Sequence, residues 1–359
     1  MPQQGPSASR PTFGMALTGN EPWSVVGPRA ERLDRVPEIT NLWVFDERFE
    51  RDPWVTMGML AAITDRLDIG TCVTDALVRH PALTGTAIAT LQEASSGRAV
   101  LGLGAGMSGF RALGIQRNAP ATALREMTMF LRTFWTSREA VDFVGTAFSF
   151  RGGRLHHPLP GPVPIAIAGR GPRILELAGE LADIAMVATF TEGPLLDHAL
   201  ERVEAGLARR PSTLPELLLA AWVYVSVDDD RALAREAVRR GIAVALWGSR
   251  PLLESLGIRL PAALASLMDR VAYAATPEVL DQAAALIPEE LVDACSIAGT
   301  ADECARRLHA LAERGFGHLA LWPFAPSGQD VGSVVDRLVT EVIPRVGRRT
   351  TGESERNVS

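Results

Sequence analysis

Two glycine clusters carry the chemistry most readily read from this chain. Gly104, Gly106 and Gly109 stand in the spacing G-x-G-x-x-G directly after the apolar run "RAVLGLG" that begins at Arg98. In a dinucleotide-binding βαβ unit such glycines let the backbone approach a pyrophosphate at a helix N-terminus. That geometry needs the helix to open at the glycines. Here the loop "MSGFRALGIQRNAP" intervenes before a helix can start near Ala119. The reading favoured over a dinucleotide site is therefore a tight turn without Cβ atoms at the end of a strand, where a flat cofactor can approach the backbone.

The second cluster lies in "PIAIAGRGPRILELAG", from Pro164. A strand is followed by Gly169, Arg170, Gly171 and Pro172, and then by a helix with Pro172 in its first turn. The unsatisfied first-turn N–H groups, the helix dipole, and Arg170 and Arg173 together make an anion site. The same residues also suit a plain strand-to-helix turn whose glycines serve only backbone geometry.

Other reactive side chains have plainer readings. His156, His157 and Pro158 have no carboxylate near them in the sequence, which fits a solvated turn better than a metal site. His80 precedes a helix proline and reads as a loop-orienting residue. Cys72, Cys295 and Cys304 lie far apart without zinc-ligand spacing, which suggests a reducing compartment and no metal site. All 36 basic residues are arginine. Without a lysine amine there is no Schiff-base aldolase, no pyridoxal-phosphate enzyme and no Walker-type phosphate loop.

These residues need elements to position them. Short apolar runs read as strands at Phe13 ("FGMAL"), Leu42 ("LWVF"), Leu67 ("LDIGTCV"), Arg98 ("RAVLGLG"), Pro164 ("PIAIAG"), Asp183 ("DIAMVAT"), Leu217 ("LLLAAWVYVSV") and His318 ("HLALWPFA"). Most are almost continuously apolar, as strands buried on both faces must be. Helical patterns fall between them. "DPWVTMGMLAAITDR" has Asp52 as N-cap and Pro53 at its first position, and "HPALTGTAIATLQEA" repeats that order with Pro81. "GPRILELAGELA" and "TADECARRLHALAERG" are others, the latter closing on Gly315.

Eight strands alternating with helices predict an α/β fold, the (β/α)8 TIM barrel. "AVDFVGTAFSFRGGRLHHP" reads as a hairpin inserted before the fifth strand. Residues 241–288 read as a mostly helical insertion before the eighth strand. "DDDRALAREAVRR" reads as a solvated helix face, and most tryptophans, including Trp222 and Trp322, as core. The expected organisation is a disordered leader over 1–10, one barrel domain over 11–346 and a disordered tail over 347–359. A formal charge of −6 disfavours a nucleic-acid partner, and no apolar run is long enough to span a membrane.

The segments "LWVFDERFERDPWV", "LDIGTCVTDALVRHPALTGTAIATLQEASSGRAVLGLGAG", "SGFRALG", "VPIAIAGRGPRILELAGELAD" and "LVDACSIAGTADECARRLHALAERG", in this order, resemble the luciferase-like flavin and deazaflavin oxidoreductases. Within that group they are most similar to the coenzyme F420-dependent branch, which includes the methylenetetrahydromethanopterin reductases. The resemblance implies a barrel with a planar ring system lying at the carboxyl ends of the strands. It places a non-proline cis peptide between Cys72 and Val73 behind that ring, and Asp46 beside it. Asp75 corresponds to a polar side chain reaching the ring. Ala105 and Gly106 match the turn after the fourth strand. Ala168, Gly169, Gly171 and Pro172 match the phosphate-binding turn, with Arg170 between them.

The departures are specific. Many relatives follow the second-strand aspartate with a histidine implicated in proton transfer, and this chain has Glu47. A buried carboxyl could do acid–base work there, or could pair with Arg48 or Arg51. An acidic residue common after the glycine turn is Met107 here. Asn20 and Glu21 are the other polar residues expected at the barrel mouth. The expected protein is a cytoplasmic homodimer that transfers a hydride between F420 and a small organic substrate, with Asp46 and Glu47 as the catalytic pair. An FMN-dependent monooxygenase and a non-catalytic flavin-binding relative are the alternatives.

Overall fold

The computed structural model describes residues 10–157, 159–271 and 275–347. Nearly all of the expected leader and tail, and Pro158, therefore lie outside the described residues. Eight parallel strands, numbered here in chain order, close into a barrel: β1 (Thr12–Leu17), β2 (Ile39–Val44), β3 (Asp68–Thr71), β4 (Ala99–Gly104), β5 (Ile165–Gly169), β6 (Ile184–Ala188), β7 (Leu218–Val227) and β8 (His318–Pro323). Each pairs with its neighbours in order, β8 with β1 and β6 with β7, so the barrel has no open edge. A short outer strand, Ile297–Gly299, adds to β7 opposite Val225–Val227. Its three residues were too few to stand out as a strand in the sequence.

The helix starts follow local chemistry. Asp52 caps Pro53–Ile63 by accepting from the Val55 N–H at 2.9 Å. His80 caps Pro81–Ala94 through its ring nitrogen, which accepts from the Ala82 N–H at 3.2 Å. Thr300 and Glu303 form a reciprocal capping box at the start of Ala301–Glu313. Helices Trp23–Leu33, Pro120–Thr136, Pro172–Leu181 and Gly193–Leu207 also belong to the outer ring. The expected hairpin is present as Val141–Val144 paired antiparallel with Ser149–Gly153. Among the described residues, no helix is long and apolar enough to cross a membrane.

The barrel interior is filled by a few large side chains set among glycines. Trp43 on β2 is fully buried. A Cβ at Gly14 on β1 would fall 2.4 Å from its Nε1, and one at Gly70 on β3 would fall 2.9 Å from its ring. On β4, a Cβ at Gly102 would lie 1.8 Å from the Thr71 carbonyl oxygen. These strands approach closely because the side chains are missing, and the indole takes the space.

Between β7 and β8 the chain forms helices Arg231–Ser255, Ala262–Leu267, Pro277–Ala284 and Glu289–Cys295. The helical insertion expected over 241–288 lies here, its first helix opening ten residues earlier at Arg231 and its last ending at Cys295. The first helix is not the purely solvated face that its charge pattern suggests. Arg235 is buried, with Nε donating to Glu289 at 2.7 Å and Nη1 to Asp293 at 2.6 Å. Its charge serves to fasten the insertion to itself.

Candidate functional site

The carboxyl ends of the strands form a rim where backbone and short side chains meet solvent. Asp46 lies two residues past β2 and is half-buried. Its Oδ2 accepts from the Thr74 hydroxyl at 2.6 Å and its Oδ1 lies 2.8 Å from Nη1 of Arg48. The other guanidinium nitrogen, Nη2, pairs with Asp75 Oδ2. The remaining Asp75 oxygen accepts from the Leu77 and Val78 N–H groups at 2.7 and 2.9 Å. Arg48 thus ties the loop after β2 to the loop after β3, and its buried Nε has no partner among the described residues.

Glu47 is half-buried beside Asp46. Of the neighbouring arginines, Arg48 bonds Asp46 and Asp75, and Arg51 also donates to the Gly19 carbonyl at 2.9 Å.

The loop after β3 departs from a regular strand. The Cys72 N–H donates back to Val44 of β2 at 2.8 Å, whereas the Thr74 N–H donates forward to Gly102 of β4 at 2.9 Å. The Cys72–Val73 peptide between them is cis, as the resemblance implied. The strand therefore ends at Thr71 rather than continuing to Val73. Burial pushes the Cys72 thiol well above its usual value, which leaves it a neutral wall rather than a nucleophile.

The two glycine turns have different physical reasons. At Gly104 a Cβ would lie 2.4 Å from Val73 Cγ2, and at Gly106 (φ +61°) it would meet Phe110 at 2.9 Å. Gly104 lets β4 close against the β3 bulge, and Gly106 lets Phe110 pack back onto the turn. At Gly171 an added Cβ would meet nothing within 4 Å, so this turn borders open space. Gly171 caps the helix Pro172–Leu181, and Ile174 and Leu175 both donate to its carbonyl. Pro172 has no N–H, so the amides of Gly171 and Arg173 have no intrahelical acceptor.

The rim brings together Asp46, Glu47, Cys72, Val73, Ala105, Gly106, Ala168, Gly169, Arg170 and Gly171, all half-buried, with Pro172 exposed at the helix start. Asp75 stands apart, only 2% exposed and engaged by the amides of its own loop and by Arg48. Arg170 does not join Arg173 at the helix start. It turns across the rim, with Nη1 3.2 Å from the Thr189 hydroxyl and Nη2 3.4 Å from Met107 Sδ. Glu21 forms a two-pronged pair with Arg29 at 2.6 and 2.7 Å, and exposed Asn20 accepts from Thr18.

His156 and His157 line a groove of about 1000 Å³ with Arg132, Trp135, Arg138 and Arg154, near the start of β5 rather than its end. The described residues contain no group of three or more His, Cys, Asp or Glu able to hold a metal.

An aromatic wall on the opposite arc escaped the sequence reading. Phe45, Trp222, Tyr224, Trp322 and Phe324 pack in sequence around the ends of β2, β7 and β8. The Phe45 and Trp322 centroids are 4.4 Å apart, Tyr224 and Trp322 4.9 Å, and Trp322 and Phe324 5.0 Å. Trp322 and Phe324 are half-buried, so they form wall as well as core. The signal was the alternation Trp222, Tyr224 and Trp322, Phe324 at the ends of two adjacent strands, which puts each pair on one face.

A floor of small residues, an aromatic wall and an unobstructed helix start together fit a planar heterocycle with a phosphate on its side chain. Comparison with known proteins points the same way. The profile of the luciferase-like monooxygenase family matches residues 27–318. A 5,10-methylenetetrahydromethanopterin reductase of Methanolobus tindarius is 30% identical, covering 92% of this chain and 99% of that protein. An F420-dependent glucose-6-phosphate dehydrogenase of Beutenbergia cavernae is 31% identical over 86% of this chain and 84% of its own. The solved structure of the coenzyme F420-dependent tetrahydromethanopterin reductase of Methanopyrus kandleri superposes with a TM-score of 0.78. It is 25% identical and covers 94% of this chain and all of its own.

Proposed function

The chain belongs to the luciferase-like monooxygenase family and is an oxidoreductase, and from that premise we propose that its cofactor is coenzyme F420 and its substrate a small organic molecule. The observation that carries this reading is the open approach at Gly171 beside a half-buried floor of Cys72, Val73, Ala105, Gly106 and Ala168. The F420-dependent relative at 31% identity and the solved F420-dependent reductase at 25% identity support the choice of cofactor.

When bound, F420 supplies a carbon that accepts or donates a hydride, and the protein contributes position and proton management. The amides of Gly171 and Arg173, at the positive end of a helix, would hold the phosphodiester. The floor residues would support the ring without a side chain in its way. Asp46, fixed by Thr74 and Arg48, can accept one further hydrogen bond from a ligand donor. Glu47 is the neighbouring carboxyl assigned to moving a proton at the substrate. The aromatic wall excludes water from the side facing Asp46.

The test is titration of the purified full chain with F420 and, separately, with FMN, followed by fluorescence. F420 is expected to bind at least about tenfold more tightly than FMN. Tight FMN binding without F420 binding would replace this reading with that of a flavin-dependent monooxygenase. Hydride transfer that survives Asp46→Ala unchanged would remove Asp46 from the site.

A further inference from the structure

We propose that Arg170 is the receptor for an oxyanion, a carboxylate or phosphate, carried by the substrate rather than by the cofactor; this rests on the reading of the rim as an F420-dependent oxidoreductase site. The most buried arginines are neutralised nearby: Arg29 by Glu21, Arg48 by Asp46 and Asp75, and Arg235 by Glu289 and Asp293. Half-buried Arg170, on the rim itself, has no such counter-charge. Among the described residues its partners are the Thr189 hydroxyl, the Met107 sulfur and the Tyr224 phenol, and no carboxylate pairs with it. A thioether is a weak acceptor, so several of the five guanidinium N–H groups have no good partner from the protein. A cation drawn part-way out of water without a counter-charge is costly unless an anion arrives to meet it.

The surroundings fix that cation in place. Helix Arg231–Ser255 of the insertion lays Gly248 over it. A Cβ at Gly248 would come 2.8 Å from Met107 Cε and 3.3 Å from Arg170 Nη2, so the absence of a side chain here lets the helix lie close against both groups. Thr189 is fully buried and holds φ at +75°, a left-handed conformation rare for a β-branched residue. Backbone held in such a conformation points to a local role, and here its hydroxyl meets Arg170. The phenol of Tyr224, which burial keeps protonated, accepts from the same guanidinium and so helps to fix its direction.

The direction in which the side chain runs decides between substrate and cofactor. The open space at the phosphate turn is beside Gly171, whereas the Arg170 guanidinium reaches Thr189 past β6 and Tyr224 on β7. Across the rim, Asp46, Asp75 and Arg48 carry a net negative charge. A substrate with its anionic group toward β6 and β7 would therefore be oriented by both poles.

The test uses the full chain without cofactor, with inorganic phosphate as the probe, titrated by calorimetry into wild type, Arg170→Met and Gly171→Leu. In wild type phosphate is expected at two places, the Arg170 guanidinium and the amides of Gly171 and Arg173; Arg170→Met should weaken the first at least about tenfold, whereas Gly171→Leu should remove only the second. F420 binding should fall in Gly171→Leu and hold in Arg170→Met. Equal phosphate affinity in wild type and Arg170→Met overturns the proposal. So does an F420 affinity that falls as steeply in Arg170→Met as in Gly171→Leu, because Arg170 would then serve the cofactor. If wild type binds phosphate through Arg170 but no F420, the anion site stands and the cofactor reading fails. Arg170→Gln repeats the measurement should Arg170→Met not fold.

Discussion

The indole N–H of Trp43 donates to Nε2 of His318 at 3.1 Å inside the barrel. An indole nitrogen can only donate, so Nε2 must be the acceptor and the imidazole proton must sit on Nδ1. That nitrogen lies 2.9 Å from the Thr12 hydroxyl. A single neutral tautomer is thereby specified, and burial lowers the pKa of His318 from 6.5 to about 4. Stability should respond in a defined direction. The unfolded chain takes up this proton near pH 6.5 and the folded chain only near 4, so the contribution is complete above 6.5. It is lost as pH falls through that window, by up to roughly 3 kcal/mol. Urea unfolding at pH 7.5 and 4.5 measures it. His318→Gln, which cannot titrate, should have a shallower pH dependence than wild type, and equal slopes would show that His318 is not the group responsible.

Arg48 makes a second energetic prediction. It is one-tenth exposed and lies between Asp46 and the nearly sealed Asp75. Arg48→Met keeps the apolar stem but strands two carboxylates, so the chain should lose roughly 3 kcal/mol of stability. Chemical denaturation of both proteins at neutral pH checks this. A loss under about 0.5 kcal/mol, the range of an ordinary surface change, would mean that the pairing contributes little.

Much of the fold was legible because parallel strands buried on both faces produce uninterrupted apolar runs, and all eight barrel strands were located that way. The ends were less so. β3 stops at Thr71 because the Cys72 amide bonds back to β2 while the Thr74 amide bonds forward to β4, a choice that depends on strands distant in sequence. The glycine turns were recognised as turns. However, Gly106 is set by Phe110 packing and Gly171 by open space, and the sequence spacing distinguishes neither. The direction of Arg170 and the sealing of Asp75 likewise follow from partners on other strands. The Trp222–Trp322 wall was hidden because an aromatic at a strand end reads like core unless the end of the barrel is considered.

Glu47 can be tested through acidity alone. If it moves a proton at the substrate, Glu47→Gln should lower kcat/KM by about a hundredfold and flatten one limb of the pH–rate profile. F420 affinity should stay close to that of wild type. An unaltered profile would leave Glu47 a structural carboxylate.

The glycines give a prediction in which stability and binding separate. At Gly102 a single added carbon would collide with the Thr71 carbonyl oxygen at 1.8 Å, and that oxygen belongs to a paired strand that cannot yield. Gly102→Ala should therefore destabilise the barrel by about 3 kcal/mol or more. At Gly171 the added atom meets nothing within 4 Å and the backbone, at φ −77°, suits any residue. Gly171→Ala should leave the melting temperature essentially unchanged. Extending the side chain to leucine should still leave the fold intact while filling the space in front of the helix N-terminus, and so weaken F420 binding. Thermal melts and F420 titrations on the three variants distinguish the two effects. Should Gly171→Leu bind F420 as wild type does, the phosphate must rest elsewhere on the rim, and the role given to the Gly171 and Arg173 amides falls with it.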